Sequence, residues 1–152
     1  MSKQQPEPAR VGNRLCFSVY AAAHAFNRAY RPLLEPLGLT YPQYLALLAL
    51  WEEDDRTVKA LGEMLYLDSG TLTPLLKRLE TAGLVRRRRD EKDERLVRIS
   101  LTAAGAAMRE TASHVPDAIA CQVGDAGEAE ALRVALGGLR DRLEADQEPP
   151  AP

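Results

Sequence analysis

Cysteine is the most reactive side chain this sequence offers, and there are two, Cys16 and Cys121. The first stands in LCFSVYAAAHAFNRAY, residues 15–30, with Tyr20 four residues on and Tyr30 fourteen residues on. The thiolate is the reactive form of cysteine, and an ordinary thiol is mostly protonated at neutral pH. If this stretch is a helix starting near residues 11–13, Cys16 lies in its first turns, where the helix dipole and unpaired N–H groups favour an anion. Tyr20 then sits one turn along on the same face. Tyr30 returns to nearly that face, but fourteen residues at about 1.5 Å each place it roughly 21 Å away. It cannot reach the Cys16 of its own chain, whereas a second chain packed antiparallel about a two-fold axis would bring it across. The competing reading is plain packing: cysteine buries as a small hydrophobe, and tyrosines fill amphipathic helix faces.

The second concentration of chemistry is charge. From Lys77 to Arg98 there are nine basic residues against five acids, a local +4 in a chain of net charge −2, so the remainder carries −6. A positive patch on an acidic body suits a protein that meets phosphates with one face only; a solvated charged hairpin is the alternative. Other constellations are weak. His24 and His114 are the only histidines and are too far apart to suggest a metal site. There is no Gly-rich phosphate loop, no Ser/His/Asp set, and CQVG at 121–124 is not a CxxC, so neither a metal nor a cofactor is expected.

These residues need elements to hold them. Hydrophobic content of 45% and charged content of 28% are ordinary for a globular chain of 152 residues. No apolar run approaches the roughly 20 residues of a membrane span, and the polar start MSKQQPEPAR does not read as a secretory signal. The expectation is a soluble cytoplasmic protein whose two cysteines are free thiols or a redox pair rather than a permanent staple. Residues 1–10 and the tail 146–152 are polar and Pro-rich, an arm and a tail without fixed structure. Residues 11–35 repeat apolar positions at helical steps, with Asn13 a candidate cap, and Pro36 and Gly38 end the pattern. Thr40 caps a second helix with Pro42 in its first turn, apolar all round and therefore buried. Thr57 opens a shorter helix. Asp68 or Ser69 caps the next, which runs to Gly83 with its start kinked or delayed to Thr71 by Pro74. Two strands follow, Leu84–Arg88 and Leu96–Leu101. Thr102 caps a long helix that Pro116 interrupts or ends, and a last helix fills about 125–145.

Helix, tight turn, helix, then a basic hairpin has a physical use. The second helix of such a pair can enter a major groove while the first braces it. Here that helix opens with small hydroxyl residues, Ser69, Thr71 and Thr73, which fit close to base edges, followed by Lys77 and Arg78. The hairpin would carry Arg86, Arg87, Arg88 and Arg95 to flanking phosphates or a minor groove. A plain two-helix packing unit is the alternative.

The stretch YLDSGTLTPLLKRLETAGLVRRRRDEKDERLVRISLTAAG, residues 66–105, resembles the winged helix-turn-helix of the MarR family. The resemblance rests on Asp-x-Arg at Asp93–Arg95 and Leu-Thr-x-x-Gly at Leu101–Gly105, and extends over about residues 11–145. LCFSVY and LDSGTLTPLLKRLE are similar to the organic-hydroperoxide-resistance repressors (OhrR) within that family. The resemblance implies a mainly α fold with a small β-hairpin wing and a helical dimerisation region. It divides the chain into N-terminal dimerisation and sensor helices over 11–56, a DNA-binding lobe over 57–101 and C-terminal dimerisation helices over 102–145. It also implies a homodimer that binds pseudo-palindromic double-stranded operator DNA and is not an enzyme. Its Cys16 would be the sensor of an organic hydroperoxide, with Tyr20 beside it and Tyr30 and Tyr41 of the partner chain bonding the thiolate. Asp93 would hold the Arg95 guanidinium in the wing. Cys121 matches the two-cysteine kind, whose oxidised sensor forms a disulfide with the other subunit; an inert buried thiol is the alternative. Two further readings stay open, a MarR-type regulator answering a non-covalent phenolic ligand and a thiol peroxidase.

Overall fold

The computed structural model describes residues 10–145; most of the N-terminal arm and the whole tail lie outside the described residues. The chain divides into two compact units, Met1–Val115 and Pro116–Pro152. In the first, a 3-10 turn at Val11–Asn13 leads into α1, Leu15–Leu34. Asn13 does not cap this helix. It lies inside the turn, and Arg14 takes the cap position with extended backbone and no side-chain cap bond. A second 3-10 turn, Glu35–Leu37, ends at Gly38, whose φ of 69° suits a residue without Cβ.

Helix α2, Tyr41–Glu52, starts with a reciprocal cap. Thr40 N–H donates to Gln43 Oε1 at 2.8 Å, and Gln43 N–H donates to Thr40 Oγ1 at 3.4 Å. Its Tyr44, Ala46, Leu47, Ala49 and Leu50 are buried, which is why no single apolar stripe is visible in its sequence. Strand β1, Arg56–Thr57, and α3, Val58–Leu65, follow, with Thr57 accepting the Ala60 N–H. Tyr66 makes the turn at φ 55°. Helix α4, Ser69–Thr81, then begins at once, capped by Asp68, which accepts the Thr71 N–H at 2.8 Å. Pro74 therefore does not delay its start. At the sixth helical position the proline forgoes only its bond to the Gly70 carbonyl, and the cap outweighs that loss.

Strands β2, Val85–Arg89, and β3, Val97–Leu101, form the hairpin, each beginning one residue later than the alternation suggests. β1 adds to the far edge of β3, giving a three-stranded antiparallel sheet in the order β1-β3-β2. Two residues are too few for a period, so the sequence pattern does not reveal β1. Helix α5, Ala103–Thr111, ends well before Pro116, which instead sits in the first turn of α6, Val115–Val123. The core of this unit gathers Leu34, Leu47, Leu50, Leu61, Leu72, Leu76, Leu79, Val85 and Ile99. The second unit comprises the rest of α6 and a 20-residue helix, α7, Ala126–Ala145. Among the described residues, no helix is long and apolar enough to cross a membrane.

Candidate functional site

Helix α4 buries Leu72, Leu75, Leu76 and Leu79 at three- and four-residue steps. That spacing turns the other face outward: Ser69, Thr71, Lys77 and Arg78 are exposed and Thr73 is half-buried. The Thr71 hydroxyl lies 3.4 Å from the Asp68 carboxylate, so the cap also orients this side chain.

The arginines of β2 do not form one surface. Strand alternation sends Arg86 outward and Arg87 toward the side of its partner Ile99, which is fully buried. Arg87 is half-buried; its N–H donates to Glu80 Oε1 at 3.3 Å, and its Nε is buried without a hydrogen-bond partner. Arg88 pairs inside the chain, 2.9 Å from Asp55 and 3.7 Å from Glu91. In the wing turn, Asp93 Oδ1 accepts the Arg95 backbone N–H at 3.1 Å. The expectation that Asp93 holds the Arg95 guanidinium is therefore corrected. The carboxylate is spent on the turn's own backbone, and among the described residues the exposed Arg95 guanidinium has no ion pair. Asp55, Asp90 and Arg98, which sequence reasoning did not single out, form a charged cluster beside the wing turn.

The Leu-Thr-x-x-Gly motif closes the wing onto α5. Thr102 Oγ1 accepts the Gly105 N–H at 3.0 Å and donates to the Gly83 carbonyl at 2.6 Å. A Cβ on Gly105 would stand 1.9 Å from the Leu84 carbonyl oxygen, so only glycine permits this approach. The Gly105 carbonyl in turn accepts the Trp51 indole N–H at 2.9 Å, tying α2 to the motif.

On the thiol side, Cys16 is the second residue of α1 and is exposed, as is Tyr20 one turn on. Tyr20 packs edge-on against His24, with ring centres 4.3 Å apart. Tyr30 stacks on Tyr41 at 4.4 Å and tilts against Tyr44 at 5.8 Å. Burial, then the neighbouring phenols Tyr41 and Tyr44, raise the Tyr30 pKa above its ordinary 10; burial raises that of Tyr41, and burial followed by Tyr41 raises that of Tyr44. All three therefore stay neutral O–H donors across the physiological range. Tyr44 was missed in the sequence, although its spacing of three from Tyr41 puts both on one face of α2. Cys121, in the second unit, is exposed on α6. Among the described residues, no group of three or more His, Cys, Asp or Glu side chains is placed to hold a metal.

A family model described as transcriptional regulator SarA/Rot matches residues 28–111, from the foot of α1 through the wing. The organic hydroperoxide resistance transcriptional regulator of Bacillus subtilis is 56% identical over 110 residues, 72% of this chain and 75% of that protein. The chain belongs to the OhrR-type regulators of the MarR/SarA family. Also similar is the HTH-type transcriptional regulator TtmR of Methylorubrum extorquens, 52% identical over 140 residues, 91% of this chain and 72% of TtmR. Among solved structures, reduced AbfR bound to DNA superposes with a TM-score of 0.81 at 37% identity, over 91% of this chain and 96% of AbfR. AbfR has also been solved in a disulfide-formed state, which matches with a TM-score of 0.62 at 42% identity over 86% of this chain and 92% of that one. This OhrR-type chain thus has the winged helix-turn-helix fold of a transcriptional regulator, and the relatives named here are regulators rather than enzymes.

Proposed function

We propose that this protein is a homodimeric repressor that binds double-stranded operator DNA when reduced and is released when an organic hydroperoxide oxidises Cys16. One observation carries the reading. Helix α1 runs unbroken from Leu15 to Leu34, so Cys16 and the stacked Tyr30–Tyr41 pair stand at opposite ends of one rod, about 21 Å apart along its axis. A second chain would bring the neutral phenols Tyr30 and Tyr41 to the thiolate as donors, next to Tyr20 of the sensor's own chain. The AbfR states, one reduced on DNA and one disulfide-formed, support a redox readout of this kind.

The chemistry is a two-step exchange. The Cys16 thiolate attacks the terminal oxygen of ROOH, the O–O bond breaks, and RO⁻ takes a proton and leaves as the alcohol. The resulting sulfenic acid condenses with the Cys121 thiol of the other subunit, forming the disulfide and releasing water. Bases are read by Ser69, Thr71 and Thr73, and phosphates are met by Lys77, Arg78, Arg86 and Arg95, with Asp93 shaping the wing turn. The reduced dimer would present two α4 helices about one DNA turn apart, roughly 34 Å.

The experiment is a gel shift using a duplex that the reduced protein selects from a random-sequence library. Cumene hydroperoxide should abolish the shift and a dithiol should restore it, with about one equivalent of peroxide consumed per chain. Continuous consumption would instead mark a thiol peroxidase. A second reading has its own observation: an open recess of about 450 Å³ beside Tyr41, bordered by Asn27, Arg31 and Leu39, has room for a small phenolic acid. Release of Cys16→Ser from DNA by salicylate would favour that reading.

A further inference from the structure

The α2–α3 connection and the wing are joined by more charge than either needs alone. Asp55 sits in the left-handed region at φ 58°, a conformation aspartate tolerates better than most residues but not freely. Three ties to β3 hold it there. Asp54 Oδ1 accepts the Leu101 N–H at 2.8 Å, Arg98 Nε lies 3.1 Å from Asp55 Oδ2, and Arg98 Nη2 donates to the Asp55 carbonyl. The remaining nitrogen of Arg98, Nη1, reaches Asp90 Oδ2 at 3.0 Å. Asp90 uses its other oxygen on the wing turn itself, accepting the N–H groups of Lys92 at 2.8 Å and Asp93 at 3.1 Å. Arg88 closes the ring, its Nη2 at 3.0 and 2.9 Å from the two Asp55 carboxylate oxygens.

The Arg98 and Asp90 side chains keep only 27% and 14% of their exposure, so water screens their pair less than it screens an ordinary surface pair. The same contacts, led by the Arg98 hydrogen bond at Asp55 and by the turn N–H groups at Asp90, lower both carboxyl pKa values. Asp55, Asp90, Arg88 and Arg98 sum to zero charge, and both guanidiniums are turned onto carboxylates. Neither arginine is left as a phosphate ligand.

We propose that Asp55 is a positioning residue for DNA binding: with Arg98, Asp90 and Arg88 it clamps the wing to the end of α2, so that Arg95 meets the duplex at a preset place. This rests on the reading that α4 and the wing bind duplex DNA, and it removes Arg88 from the phosphate contacts. The clamp spares the wing an ordering cost on binding.

The sign of one substitution decides. Replacing a carboxylate near DNA by an amide removes repulsion, so long-range electrostatics alone would tighten binding by Asp55→Asn. The clamp requires the opposite. On the selected duplex, Asp55→Asn should bind about tenfold more weakly with its salt slope unchanged, because no phosphate contact is lost. Amide exchange should quicken at Lys92, Asp93 and Arg95 but not in α4, which separates loss of the clamp from general destabilisation. Arg98→Gln should cost as much alone and nothing further in the Asp55→Asn background. Arg88→Gln, which removes the two contacts to the Asp55 carboxylate but keeps the Arg98 ties, should lose affinity in the same way at unchanged slope. Equal or tighter binding by Asp55→Asn overturns the proposal, as does a salt slope lowered by about one in Arg98→Gln, the mark of a phosphate contact. A reduced wild-type protein that retains no duplex at all overturns the DNA reading beneath it.

Discussion

Cys16 and Cys121 are both exposed, but only Cys16 stands in the first turn of a long helix, with a tyrosine one turn along. Cys16 is thus the residue expected to react first. Cys16→Ser should keep its DNA shift and ignore cumene hydroperoxide. Cys121→Ser should still react, and without a resolving thiol its product should climb to sulfinic and sulfonic acids, visible by intact mass as two or three added oxygens. A Cys121→Ser protein blind to peroxide would reverse the roles. The tyrosines carry a separate prediction. Their pKa values are raised in the folded chain, so their contribution to stability is complete below pH 10 and is lost as pH rises through the raised values. The unfolding temperature should therefore fall steeply above pH 10, and Tyr30→Phe should make that fall shallower. At this scale the sequence was legible wherever a residue's partners are local. Thr40, Thr57 and Thr102 cap helices as their spacing predicts. Asp55 was not legible, because Arg98 lies 43 residues away and only the folded sheet brings them together.

Among the elements, the wing depends on a backbone approach that tolerates no side chain. Gly105→Ala would force a methyl group onto the Leu84 carbonyl, and α5 cannot shift without breaking the Trp51 bond. The expected loss is about 3 kcal/mol, read as a lower midpoint in urea unfolding. Loss of less than about 1 kcal/mol would mean that α5 slides freely over the hairpin. Within the wing, Arg95→Ala should weaken selected and mixed-sequence duplexes alike and lower the salt slope by about one. Substitutions at Ser69 or Thr71 should change which sequences are selected. Helices were legible here through their caps and periods, and the hairpin through alternation. The break between α5 and α6 was placed at Pro116 but falls at Thr111, and two features of the sheet were not legible. β1 is too short to show a period, and the division of β2 into outward Arg86, half-buried Arg87 and paired Arg88 depends on what lies opposite each residue.

For the molecule as a whole, the question is what covers its apolar surface. Helix α1 leaves Leu15, Phe17, Val19 and Phe26 exposed, and α7 leaves Leu132, Val134, Leu136 and Leu143 exposed. Two long helices with so many bare aliphatic and aromatic side chains are poorly suited to a monomer, and a second copy of the chain is the covering that the proposed shared site calls for. Sedimentation at micromolar concentration should show a dimer in the reduced state, since the apolar contact does not depend on the thiols. Mild oxidation should then make that dimer covalent. If Cys16 of one subunit condenses with Cys121 of the other, a non-reducing gel will show a band of twice the chain mass, and substitution of either cysteine will remove it. A Cys16–Cys16 link would survive in Cys121→Ser, whereas a bond within one chain would leave the oxidised protein at monomer mass. Either result would contradict the proposed shared site, in which Tyr30 and Tyr41 of the partner would leave Cys16 facing the other subunit.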